Sequence, residues 1–368
     1  MIRAANCAAR AVAGVPASTG RPGSCATRLG RALHCRAVVP ALTFTIPCRN
    51  GVRHLRPLLE SLLGQEGVET RVILVDDAST DGSVALAREV GGSRVTVVEN
   101  QRALGIPGNW NRCAELVRTE FFCIAHQDDV YAPHFARVLL TALTQNPRAA
   151  AAHCRARAID AEGRPAPSLS ERYKERFWRR LPPVEDAARG FRRLYAGNYV
   201  CCPSLVYRTA AFRAVGAFDT HFRFAPDWEW LLRCCAKGLE LAAVGRTLLS
   251  YRRHEAQATR HHARSLQRYR EEHAVLSHAR LFGVGAGLLP AGARSTAMRD
   301  NLLYDAFRDL LDRDVEAARD KLELLADLDP GARRSTPARA LSAAARLGWP
   351  GRTALRLAVR GFVAWSAR

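Results

Sequence analysis

Alternation constrains this chain more than any other feature. Short apolar runs at Val38–Ile46, Arg71–Val75, Arg94–Val98 and Glu120–Ala125 are separated by stretches with helical spacing. Leu55, Leu58, Leu59, Leu62 and Leu63 form one such stretch, and Asn109–Val117 another. Brief runs rich in Val, Ile and Phe read as buried strands. Strands that alternate with helices build a largely parallel sheet covered on both faces. Sheets of this kind bind ligands beyond the carboxyl ends of their strands. The residues just after each run are therefore the candidates for chemistry.

Three such tips carry polar clusters. The first is Thr45-Ile46-Pro47-Cys48-Arg49-Asn50, and the second is Val75-Asp76-Asp77-Ala78-Ser79-Thr80-Asp81. The third is Asp128-Asp129, just beyond Phe121–Ala125. Unpaired carboxylates are costly to bury, so two in succession at a strand end point to a ligand. Hard oxygen donors of this type suit Mg²⁺ or Mn²⁺, with substrate phosphates completing the shell. Asp76 and Asp81 fit ordinary turn and cap chemistry equally well, and Ser79 or Asp81 is placed to cap the next helix. Gly105 and Gly108 fit a plain loop better than a phosphate cradle.

The second half is less regular. Cys202–Tyr207 reads as a strand and Trp228–Ala236 as a helix. Residues 160–195 are charged and irregular, as in a loop that closes over a ligand. Asp227 opens an otherwise apolar helix, where it is either a dipole-stabilised cap or a general base. Tyr251-Arg252-Arg253-His254 is a surface basic run, a pyrophosphate clamp or a source of a metal ligand. Beyond about residue 260 the strand signals stop. Leu302, Leu303, Ala306, Leu310 and Leu311 then form an apolar stripe, and Leu322 with Leu325 a second.

Taken together these pieces resemble the family 2 glycosyltransferases of the GT-A fold. The matching segments are Ile46–Asn50, Val75–Asp81, Gly108–Cys113, Gln127–Asp129, Val215–Asp219, Asp227–Glu229 and Tyr251–His254, in family order. The resemblance implies an α/β/α sandwich with a mainly parallel mixed sheet, followed by a helical C-terminal subdomain. It divides the chain into a basic extension over 1–39, a glycosyltransferase domain over 40–260 and helices over 261–368. It implies inverting transfer from a nucleoside-diphosphate sugar to a saccharide or lipid-linked acceptor. Pro47, Arg49 and Asn50 would line the nucleotide pocket. Asp77 would hold the base, Asp128 the ribose, and Asp129 with His254 a Mg²⁺ or Mn²⁺ ion. Asp227 would be the catalytic base, supported by Trp228, Glu229 and Arg252. Relatives often carry Glu before the base, where this chain has Pro226.

Composition narrows the alternatives. The net charge of +20 would suggest an anionic partner, but lysine occurs only at 174, 237 and 321. An arginine-rich, alanine-rich chain of this kind looks like GC-rich codon usage. No nucleic-acid-binding module is visible, so no nucleic-acid partner is expected. The 11 cysteines show no C-x-x-C spacing, which fits a reducing cytoplasm better than a disulfide scaffold or zinc site. No apolar run reaches the ~18 residues of a membrane span. The basic segment 1–39 reads as a disordered extension. Arg352, Arg356 and Arg360 share a helical stripe beside Leu355, Val359 and Phe362, as in a helix lying on an anionic membrane surface. A nucleotidyltransferase would place a Gly-rich basic loop where Pro47–Asn50 stand. A non-catalytic nucleotide-sugar binding module would not need Asp77, Asp129 and Asp227 together.

Overall fold

A computed structural model describes residues 42–166, 169–254 and 266–346. The basic segment 1–39 and the Arg352–Arg360 stripe lie outside these residues.

Three strand–helix–strand crossovers open the fold: β1 (Leu42–Cys48), α1 (Val52–Leu63), β2 (Thr70–Asp76), α2 (Ser83–Gly91), β3 (Val95–Glu99), α3 (Gly105–Leu116) and β4 (Phe121–Ile124). These four strands are parallel, in the order β3-β2-β1-β4. The register sets Cys48 beside Asp76 and Asp76 beside Glu99, so the three tips end level. Side-chain alternation divides β4 between the two faces of the sheet. Phe121 and Cys123 join one apolar cluster with Phe44, Leu55 and Leu139, while Phe122 and Ile124 join the other with Trp110, Tyr207 and Trp230.

The remaining elements complete a nine-stranded mixed sheet. They are β5 (Val130–Tyr131), α4 (Phe135–Gln145), β6 (Ala149–Ile159), α5 (Leu169–Trp178), β7 (Val184–Glu185), α6 (Ala187–Ala196), β8 (Val206–Arg208), α7 (Thr209–Val215), α8 (Pro226–Ala236) and β9 (Glu240–Arg252). Strand β8 lies antiparallel between β4 and β6, and β6 runs parallel to β9. The helices α9 (Gln267–Gly285), α10 (Ala297–Leu311), α11 (Val315–Leu328) and α12 (Thr336–Arg346) follow. Their Met298, Leu302, Leu303, Leu310, Leu325 and Leu341 belong to the same buried cluster as Trp228 and Trp230.

One sequence expectation is corrected. Residues 160–195 are not an irregular closing loop, because they contain α5, β7 and α6. Helix α6 buries Phe191, Leu194 and Tyr195 along one face, and its N-cap Asp186 accepts a bond from the Arg189 amide. Charged residues outside that face masked the periodicity. The expected strand at Cys202–Tyr207 shortens to β8, preceded by a turn at Cys202–Ser204.

Candidate active site

The β1 and β2 tips are built from backbone bonds to side-chain oxygens. Asp81 receives the Val52 amide that opens α1 (3.2 Å) and the Ser83 amide that opens α2 (2.9 Å). Burial raises its carboxyl, but these bonds and the Ser83 hydroxyl outweigh it and hold the pKa below the ordinary value. Asn50 adopts a left-handed conformation (φ 49°), accepts from the Thr80 amide and donates its own amide to Ser79 Oγ. Asp77 is 3% exposed and closes the N-terminus of α3. Its Oδ1 accepts from the Leu104 amide (2.7 Å) and Asn100 Nδ2 (3.0 Å), and its Oδ2 from the Gly105 amide (2.9 Å). The anion at this helix start is thus Asp77 itself, and Gly105 serves the helix rather than a phosphate. Oδ2 keeps one acceptor position, with the Arg49 guanidinium 3.9 Å away.

Gln127 ties the first tip to the acidic pair. It accepts from the Arg49 amide at 2.8 Å and donates to the Arg49 carbonyl at 3.1 Å. The bond pair leaves so little room that a Cβ on Gly51 would stand 2.6 Å from Gln127 Oε1. Pro47 lies within β1, half-buried and paired with Val75.

Strand pairing explains the acidic pair. Val130 pairs with Ser250, so β9 brings Arg252 and His254 against the residues just before β5. The Arg252 amide donates to Asp129 Oδ1 at 2.9 Å. Its guanidinium donates to the Asp128, Asp160 and Ala161 carbonyls, so Arg252 braces the acidic pair. His254 Nε2 meets Asp128 Oδ2 at 2.9 Å, and the His54 ring lies 4.9 Å from the His254 ring, centre to centre. Burial first, then the Asp128 charge, push Asp129 well above the ordinary carboxylate range. Its Oδ2 is buried and has no hydrogen-bond partner. That orphaned oxygen fits a cation held by one or two carboxylates and substrate oxygens. Among the described residues, no group of three or more His, Cys, Asp or Glu forms a complete metal cage.

Asp227 occupies the second position of α8, after Pro226 at the first, where proline's missing N–H costs nothing. Burial raises its pKa, and the Trp228 amide, the Lys174 charge and the Asn198 amide partly offset the rise. The partly exposed Cys201 and Cys202 thiols lie in the fields of both Asp129 and Asp227. The polar atoms of Trp228 and Glu229 are committed to the scaffold. Trp228 Nε1 donates to the Leu194 carbonyl. Glu229 binds Arg233 through both oxygens, and Arg233 holds the Val215 and Ala217 carbonyls.

Gln127 entered only as the first residue of the Gln127–Asp129 segment, and His54, Lys174 and Asn198 were not singled out from the sequence. A lone His or Asn gives no motif signal. Lys174 offered a faint one: in a chain that favours arginine, each of its three lysines makes a specific bond, Lys174 to Val200 O, Lys237 to Ala214 O and Lys321 to Asp309.

Residues 43–216 match the model of glycosyl transferase family 2. The chain carries a family 2 glycosyl transferase domain. The chain's fold is similar to that of S. aureus TarS 1–349 in complex with UDP-GlcNAc, at 14% identity, a TM-score of 0.55, and coverage of 85% of this chain and 93% of that one. An uncharacterized glycosyltransferase of Haemophilus influenzae is 24% identical over 52% of this chain and 61% of its own length. The succinoglycan biosynthesis protein ExoO of Rhizobium meliloti is 30% identical over 28% of this chain and 29% of its own. An uncharacterized protein of Mycobacterium tuberculosis is 33% identical over 26% of this chain and 30% of its own. The matches to these last two relatives thus span less than a third of their length. No helix among the described residues is long and apolar enough to cross a membrane.

Proposed function

We propose that this protein transfers a sugar, with inversion, from a nucleoside diphosphate to an acceptor hydroxyl during assembly of a surface polysaccharide or glycolipid. One observation carries the reading: Asp129, between β4 and β5, keeps a buried Oδ2 with no hydrogen-bond partner, an oxygen suited to a cation that also binds the donor diphosphate. The likeness to a polysaccharide biosynthesis protein and to a fold solved with a nucleotide sugar supports it.

In this reading Pro47, Arg49 and Asn50 shape the base pocket. Asp77 Oδ2 accepts from the base, and Arg49 stacks on it. Asp128 faces the ribose, held in place by His254. Asp129, with His254, would hold Mg²⁺ or Mn²⁺, which when bound neutralises charge developing on the leaving diphosphate. Asp227 takes the proton of the attacking acceptor hydroxyl, and its raised pKa improves it as a base. No covalent nucleophile is required, and burial raises the Cys201 and Cys202 thiols well above the usual range.

Hydrolysis of a panel of nucleotide sugars, with Mn²⁺ or with EDTA, tests the reading. Metal-dependent turnover of one donor, lost in Asp129→Ala, is expected. Absence of both turnover and nucleoside-diphosphate binding across the panel would contradict it.

A further inference from the structure

A second cleft lies outside the carboxylate cluster. Its volume is about 570 Å³, within the ~300–1,000 Å³ usual for small-molecule sites. One wall is the segment that leads into Asp227, and the other is α9. Phe222 and Ala274 supply its apolar surface, and Asp219, Gln267, Arg270 and His278 its polar groups.

The wall is fixed before any ligand arrives. Asn111 binds both the amide and the carbonyl of Phe218, at 2.9 Å each. The Phe224 amide donates to Glu271 Oε2 at 2.6 Å, and the His278 ring stands edge-on to Phe222 at 5.8 Å. Held this way, the cleft keeps its shape and costs a ligand little ordering.

Its chemistry selects the ligand class. The Arg270 guanidinium, the His278 imidazole and the Gln267 side-chain oxygen, whose own Nε2 donates to Glu271 Oε1 at 2.9 Å, match the paired hydroxyls of a sugar, and the Phe222 edge matches its C–H surface. A phosphate is disfavoured, because Asp219 and Glu271 set two carboxylates against the single guanidinium of Arg270. Asp219 is already bonded to the amide and ring of His221, at 2.9 and 2.8 Å. Phe222 stands five residues before Asp227, so the two Cα atoms lie within roughly 17 Å of each other. An oligosaccharide of a few units spans that gap.

We infer that this cleft is a binding subsite for a neutral oligosaccharide, holding the acceptor chain behind the sugar that is presented to Asp227. The link to Asp227 rests on the function proposed above, but saccharide binding itself does not.

The test is an array of neutral oligosaccharides and of phosphate- and uronate-bearing ones, probed with full-length protein and no nucleotide. Wild type is compared with the double variant Arg270→Ala/His278→Ala, whose altered side chains are both exposed. Wild type should bind at least one neutral oligosaccharide, and the variant should bind it at least about tenfold more weakly, as expected for losing one or two hydrogen bonds. Nucleotide binding by the variant should be unchanged. Binding only to anionic glycans, equal binding by the variant, or no binding to any neutral glycan overturns the inference. Saccharide binding without any nucleotide binding would preserve the subsite and sink the proposed function instead.

Discussion

The β1–β2 tips and the Asp227 pocket use the same residue in opposite ways. At the tips, backbone amides converge on aspartates, and Asp81 is held below its ordinary pKa. At the head of α8, burial dominates and Asp227 is raised. Hydrogen-bonded carboxylates stay ionised and serve as fixed acceptors. A buried, weakly compensated carboxylate is the one suited to take a proton. In the proposed mechanism function divides along that line: the tips shape a binding surface, and Asp227 takes the proton.

Breaking the pocket should give the largest effect. Asp227→Asn keeps the shape and removes the base, so kcat should fall about 10²–10⁴-fold while donor affinity measured by calorimetry is retained. A matching loss of donor affinity would move Asp227 to the binding side. Next comes the scaffold of the acidic pair. Arg252→Met strips bonds from the Asp128, Asp160 and Ala161 carbonyls. Chemical denaturation should show a loss of about 3 kcal/mol, the scale of one or more buried acceptors left unsatisfied. Little change would mean water replaces the guanidinium.

A smaller effect is expected at the tips. In Gly51→Ala the new Cβ meets Gln127 Oε1 at 2.6 Å, so about 1–3 kcal/mol should be lost to overpacking. Adding Gln127→Ala should recover much of that loss while leaving the Arg49 loop unclamped and the donor KM raised. A double variant no more stable than the single one would place the clash elsewhere. The smallest effect sharpens the contrast. The Lys174 charge lowers the Asp227 pKa, so Lys174→Met should raise it. With Asp227 as the proposed base, activity rises with pH as it ionises, so the acid limb of kcat/KM should move to higher pH. An unmoved limb would assign it to another group.

The two regions also differ in how far the sequence discloses them. Strands β1 to β4 were readable because each is a compact apolar run with a helix between it and the next. Their polar tips were readable for the same reason. Strand β6 was not, since Ala149–Ala152 followed by His153-Cys154-Arg155 carries neither β-branched enrichment nor clean alternation. What makes it a strand is burial between β8 and β9, a tertiary effect. Strand β9 was likewise hidden, and with it the reason Arg252 and His254 meet Asp129 and Asp128. The Asp227 helix was legible from its aromatic run, but its raised pKa was not, because that depends on the burial of Asp227 and on Lys174 and Asn198 from distant segments.

The most direct test of Asp227 as a base is the anomeric configuration of the sugar first released to water. It is read by proton NMR before mutarotation, with an α-linked nucleotide sugar and no acceptor present. A single base and no covalent intermediate predict the β anomer. Release of the α anomer would require a covalent nucleophile or attack from the leaving-group side, and would contradict the role given to Asp227.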